Sequence, residues 1–86
     1  MPQIKTIELA KQEMFTPREE LEKRLSPDRV EHLIRLRDMY NYILSNPSER
    51  DRKFVEYFRA KYNLSQSQVY ADLALTKQLL PALAPA

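Results

Sequence analysis

The chain contains no glycine. Tight two-residue hairpins need positive backbone φ at turn positions that glycine fills most readily, so a sheet built on such hairpins is disfavoured at the outset. Phosphate cradles of the P-loop and dinucleotide type also require glycines, because the backbone itself must approach the phosphate. Nucleotide-driven chemistry is therefore not expected, and the fold class expected is all-α. With 86 residues, no cysteine and a single histidine, His32, the chain has room for one small domain. That inventory also rules out a disulfide framework and a thiolate metal site. No cofactor and no metal are expected, and stability must come from packing.

Helix starts are announced by caps. "TPRE" places Thr16 as N-cap, Pro17 at the first helical position and Glu19 where it can bond back to the cap. "SPDR" repeats the logic at Ser26 and Pro27, "SERD" offers Ser48 as a cap with acidic residues behind it, and "SQSQ" at Ser65–Gln68 is a further capping box. A weaker pattern, Ile4, Ile7, Ala10, Lys11 and Met14, gives an N-terminal helix over about 3–14. The expected architecture is a small bundle of four to five helices. Its parts are an N-terminal helix or arm (1–15), a helical domain (16–80) whose last part (about 49–80) is a helix-turn-helix, and the start of a linker (81–86) to a further C-terminal region.

Apolar spacing fixes which faces turn inward. The helix over about 27–45 carries Val30, Leu33, Ile34, Leu36, Met39, Tyr40, Tyr42, Ile43 and Leu44, which at 100° per residue cover more than half its circumference. It is either a central helix with neighbours on two sides or one that lends a face to a partner chain. In the helix over 49–62, Phe54, Val55, Phe58 and Tyr62 form one stripe flanked by Tyr57. The last helix is expected to end near Leu80, before Pro81. Val69, Leu73, Thr76 and Leu80 point inward there, and a second row, Leu75 and Leu79, is left for self-association.

The most informative stretch is "KYNLSQSQVYADL", where one helix ends and the next begins within thirteen residues. Asn63 tolerates the left-handed conformation that lets a helix reverse quickly, Leu64 can plug the angle, and Ser65 caps the helix that Val69 and Leu73 then anchor. The outward residues of that helix's first turns are Gln66, Ser67, Gln68 and Tyr70, with Ala71 beside them. Glutamine pairs with the N6/N7 edge of adenine, serine donates or accepts, and alanine or a tyrosine ring touches a thymine methyl. The charge points the same way. Residues 1–49 carry eight Lys/Arg against nine Asp/Glu, whereas 50–86 carry six against three, so the halves sum to −1 and +3. Arg50, Arg52, Lys53, Arg59 and Lys61 supply that excess and are the expected phosphate contacts on double-stranded DNA.

Over roughly Ser48 to Leu80 the chain resembles the helix-turn-helix family of DNA-binding domains. "YNLSQSQVYADL" carries the match: Tyr62, Leu64, Val69 and Leu73 stand at its apolar packing positions and Asn63 at the turn position usually held by glycine. One position departs, since Arg59 stands where a small residue belongs four before the turn, with Ala60 one place late. More narrowly, "RDRKFVEYFRAKYNLSQSQVYADLALTKQLLP" is similar to the N-terminal DNA-binding segment of phage small terminase subunits and related mobile-element proteins. That resemblance implies a DNA-packaging role, oligomerisation through later helices, and a separate ATPase subunit.

The competing expectation is a helical oligomerisation or adaptor domain without nucleic-acid binding, resting on the wide apolar surface of 27–45 and on Leu75/Leu79. No catalytic residue is expected. His32, beside Glu31 and one turn after Asp28, reads as a packing or surface residue rather than a base. Glu19, Glu20 and Glu22 are accounted for by the helix dipole at an N-terminus. No apolar run approaches the roughly 18 residues of a membrane span and the N-terminus has no signal-peptide layout, so a soluble, cytoplasmic protein is expected, in a bacterial host cell under the phage resemblance.

Overall fold

A computed structural model describes residues 5–83. The helices run α1 (Thr6–Glu13), α2 (Arg18–Arg24), α3 (Pro27–Ser45), α4 (Asp51–Tyr62) and α5 (Gln66–Leu83), with no strand among the described residues. The protein is all-α. None of these helices is long and apolar enough to cross a membrane. Ile4, at the head of the expected α1 pattern, and 84–86 of the expected linker lie outside the described residues.

Helix α3 is central, packing against α1, α2 and α5. This explains its broad apolar surface. Val30, Leu33, Leu36, Met39 and Tyr40 are buried, and Ile34, Tyr42 and Ile43 lean on the same core, which leaves only Leu44 well exposed. The C-terminal half of α3 meets α4 through rings: Tyr42 lies edge-on to Phe54 and Phe58 at 5.7 and 5.3 Å and stacks on Tyr57 at 4.8 Å. Phe54, Val55 and Phe58 are buried as their spacing predicts.

Helix α1 also packs on α5, and the second apolar row of α5 is not left open. Leu79 is fully buried and Leu75 leans on the core, so this row belongs to the interior rather than to a self-association face. The loop between α1 and α2 is tied down by Arg37, whose Nη2 donates to the Glu13 and Thr16 carbonyls at 3.2 and 2.6 Å. Burial pushes the Arg37 guanidinium down from its ordinary value.

Two caps form as expected and two do not. Ser26 Oγ accepts from the Arg29 amide at 3.5 Å and Ser65 Oγ from the Gln68 amide at 3.2 Å. Thr16 does not cap α2, because its hydroxyl donates at 2.6 Å to the Glu13 carboxylate, which also holds Arg24. The N-cap falls to Pro17, and α2 begins at Arg18. Ser48 is likewise passed over. The turn closed by the Glu49 amide on the Asn46 carbonyl contains it, and α4 starts from Arg50 with no side-chain cap. Helix α5 continues through Pro81 to Leu83 rather than stopping at Leu80. So near a helix end proline costs a single backbone bond, while Leu79 and Leu80 hold that turn on the core.

Candidate nucleic-acid interface

The α4–α5 connection is short because Asn63 adopts φ 53° and ψ 50°, the left-handed region where its amide returns to the Arg59 carbonyl. Leu64 is half-buried against the core, and Val69 and Leu73 are buried below it. Tyr62 is half-buried, stacked on Phe58 at 6.0 Å, and its hydroxyl donates to Asp38 at 2.6 Å. Helix α5 then runs back along α4. Asp51, at the first turn of α4, pairs with Lys77, about three turns into α5, at 2.9 Å. Phe54 and Leu73 line one hollow with Asp51 and Lys77. The two helices thus pack on each other from the turn at Asn63 back to the first turn of α4. Arg59 fits this arrangement. It is exposed, so its long side chain is accommodated where a small residue was expected.

The residues expected to read bases divide. Gln66, Ser67 and Tyr70 are exposed, with Ala71 beside them. Gln68 has an exposed surface too, but its side chain neither returns to the Ser65 cap nor stands free: Nε2 donates to Asp72 Oδ1 at 3.0 Å. The residues expected to hold phosphates also divide. Lys61 pairs with Asp38 at 2.6 Å and lies 5.7 Å from the centres of the Tyr57 and Tyr62 rings, and Arg52 pairs with Glu56 at 3.3 Å. Arg50, Lys53 and Arg59 are exposed, and no ion pair engages them among the described residues. Arg50, Arg52 and Lys53 surround a shallow hollow with Glu56. The helical repeat puts Arg52 and Arg59 on one face and Lys53 about 100° away, so the cations flank α4 rather than forming one stripe.

Asp72, which is not among the residues expected to act, is the most heavily engaged polar residue near this surface. Its side chain is 1% exposed. Oδ1 accepts from Gln68 and, at 2.9 Å, from His32 Nε2, while Oδ2 accepts from Arg35 Nε at 2.8 Å. Burial pushes the carboxyl's pKa up, but the hydrogen bonds from His32 and Arg35 and the charge of Arg35 outweigh it, and the net direction is down. Asp72 is therefore ionised at neutral pH and can only accept, which puts a proton on the His32 nitrogen facing it. The signal that could have found it is helical phase. Asp72 falls between Thr76 and Leu79 on the helical wheel, about 40° from Thr76 at the edge of the inward arc, where a carboxylate needs partners, and His32 and Arg35, three apart on α3, present two N–H donors on one face.

No protein-family model matches the chain, and no curated protein or solved structure shows significant similarity to it.

Proposed function

We propose that the protein is a DNA-binding module in which the first turns of α5 enter the major groove and the cations of α4 contact phosphates beside it. The observation that carries the reading is the pairing of two surfaces. Gln66, Ser67 and Tyr70 stand exposed at the start of α5, and Arg50 at the N-cap of α4 and Lys53 and Arg59 within it stand exposed with no ion pair among the described residues. Because α5 folds back on α4, Arg50 and Lys53 lie at the far end of the pair from Gln66, the placement expected of side chains that grip a strand flanking the groove. The +3 balance of 50–86 supplies the attraction. The narrower form of the proposal is a recognition domain of the small terminase kind, working beside a separate ATPase in phage DNA packaging. It rests on the resemblance of Arg50–Pro81 alone.

Fluorescence anisotropy on mixed-sequence duplexes, titrated over a range of salt, tests the reading. Binding that weakens steeply with salt is expected. Absence of salt-dependent binding to any duplex at high micromolar protein overturns it in favour of an adaptor domain, which the exposed Phe15 and Leu44 would then serve.

A further inference from the structure

Resting on that DNA reading, the geometry points to Asp72 as a positioning residue that fixes the orientation in which Gln68 meets a base, and so sets which bases it accepts. A free glutamine amide can turn over, exchanging its oxygen and its NH2 group, and can therefore greet either a donor or an acceptor. Gln68 cannot. The carboxylate beside it, ionised and held by Arg35 and His32, offers only lone pairs, so the NH2 group must face inward and give one hydrogen to Asp72. Turning the amide over would set its oxygen against Asp72 Oδ1 inside a nearly solvent-free site. The amide oxygen has no partner among the described residues and is left to accept from an incoming group, with the second amide hydrogen beside it.

The consequence is a directional preference. An outward oxygen accepts from the amino group of adenine N6 or cytosine N4, and the neighbouring hydrogen adds adenine N7, whereas guanine O6 and thymine O4 present a lone pair to a lone pair. Gln66 has no such tether and keeps both orientations. Asp72 itself touches no base. It acts through Gln68 and is supported from α3, so residues far from the groove in sequence take part in setting specificity.

Selection from a pool of fully randomised duplexes tests this with three proteins: wild type, Gln68→Ala and Asp72→Asn. Gln68→Ala should erase the preference at one position, which identifies the base that Gln68 faces. There the wild type should favour adenine or cytosine by about fivefold, the low end of what one side-chain contact discriminates. Asp72→Asn, whose amide tolerates either orientation of Gln68, should admit guanine and thymine at that position and leave the others unchanged. An Asp72→Asn profile identical to wild type, or one flattened evenly at every position, overturns the assignment while the DNA reading stands. A wild type that binds no duplex removes the DNA reading and the assignment with it. If Asp72→Asn fails to fold, solvent exchange of the side-chain amides in the wild type decides. A Gln68 NH2 pair protected relative to that of Gln66 upholds the tether, and equally fast exchange overturns it.

Discussion

Replacing Phe58 with alanine probes the packing on which the α4–α5 surface stands. The ring is fully buried and is the meeting point of four others, with centroids of Phe54 at 4.6 Å, Tyr57 at 4.9 Å, Tyr42 at 5.3 Å and Tyr62 at 6.0 Å. Its removal loses the transfer energy of the ring and leaves a cavity whose walls are held by their own contacts, a cost of about 3–5 kcal/mol. Tyr42 is fixed by Glu49 at 2.5 Å and Tyr62 by Asp38, so neither can swing freely into the void. For 86 residues the whole stability is expected at roughly 4–13 kcal/mol, and the single change consumes a large part of it. Urea unfolding followed by far-UV circular dichroism measures the loss, and with m near 1 kcal/mol/M for so small a domain the midpoint should fall by about 3 M or more. Phe58→Leu, which keeps most of the volume, should cost about 1–2 kcal/mol. A change within about 0.5 kcal/mol for the alanine variant would refute the packing argument, because only an exposed ring behaves that way.

Three further outcomes follow from the electrostatics and the surface. The depressed pKa of Asp72 contributes stability that is fully present above its ordinary value of 3.8 and is lost as pH falls through the lower folded value. Urea midpoints taken through the acid range should therefore slope less in Asp72→Asn than in wild type, though Glu13, lowered by its bonds to Arg24 and Thr16, keeps part of the slope; parallel curves would contradict the assignment. Tyr42, bonded to Glu49, and Tyr62, half-buried and bonded to Asp38, are both pushed up to about 12 from 10.0, so two of the five tyrosines should ionise late in an alkaline absorbance titration. The sign is opposite to that of Asp72: their contribution is complete below the ordinary phenol value and disappears as pH climbs toward about 12, and five coincident phenol titrations would reject it. On DNA, Lys53→Ala should weaken specific and scrambled duplexes alike and reduce the slope of log K against log salt by about one, whereas Gln66→Ala should cost about 1–3 kcal/mol on the preferred site only. Anisotropy on both duplexes distinguishes the two, and an interchange of the effects would reverse the roles assigned.

What was legible in the sequence was what neighbours along the chain decide. Ser26 and Ser65 cap because their acceptors have no stronger local rival, and the turn at Asn63 follows from the conformations that asparagine tolerates. Thr16 and Ser48 do not cap, because a cap is a competition. The Glu13 carboxylate takes the Thr16 hydroxyl, and a turn at Asn46–Glu49 takes the backbone around Ser48. Leu79 could not be assigned from the pattern of α5 alone, since α1, which packs on α5, is remote in sequence. Asp72 is the sharpest case. Its two α3 partners lie 40 and 37 residues away, and read locally it is one more polar residue in "YADL". Its tether also takes the Gln68 side chain away from the return bond to Ser65 that the capping-box pattern implied.

The packing of α1 against α5 also bears on how the chain is made. These are the first and last of the described helices, and Leu9, Ala10 and Met14 share one core with Val69, Leu73 and Leu79. On the ribosome, residues up to the end of α4 emerge with their apolar faces ready but with α5 still to come. At ordinary elongation rates roughly 3–13 s separate the synthesis of Met14 from that of Leu79. Throughout that interval the core that α1 and α5 share lacks one of its two walls, so its closure waits on α5 rather than proceeding helix by helix along the chain.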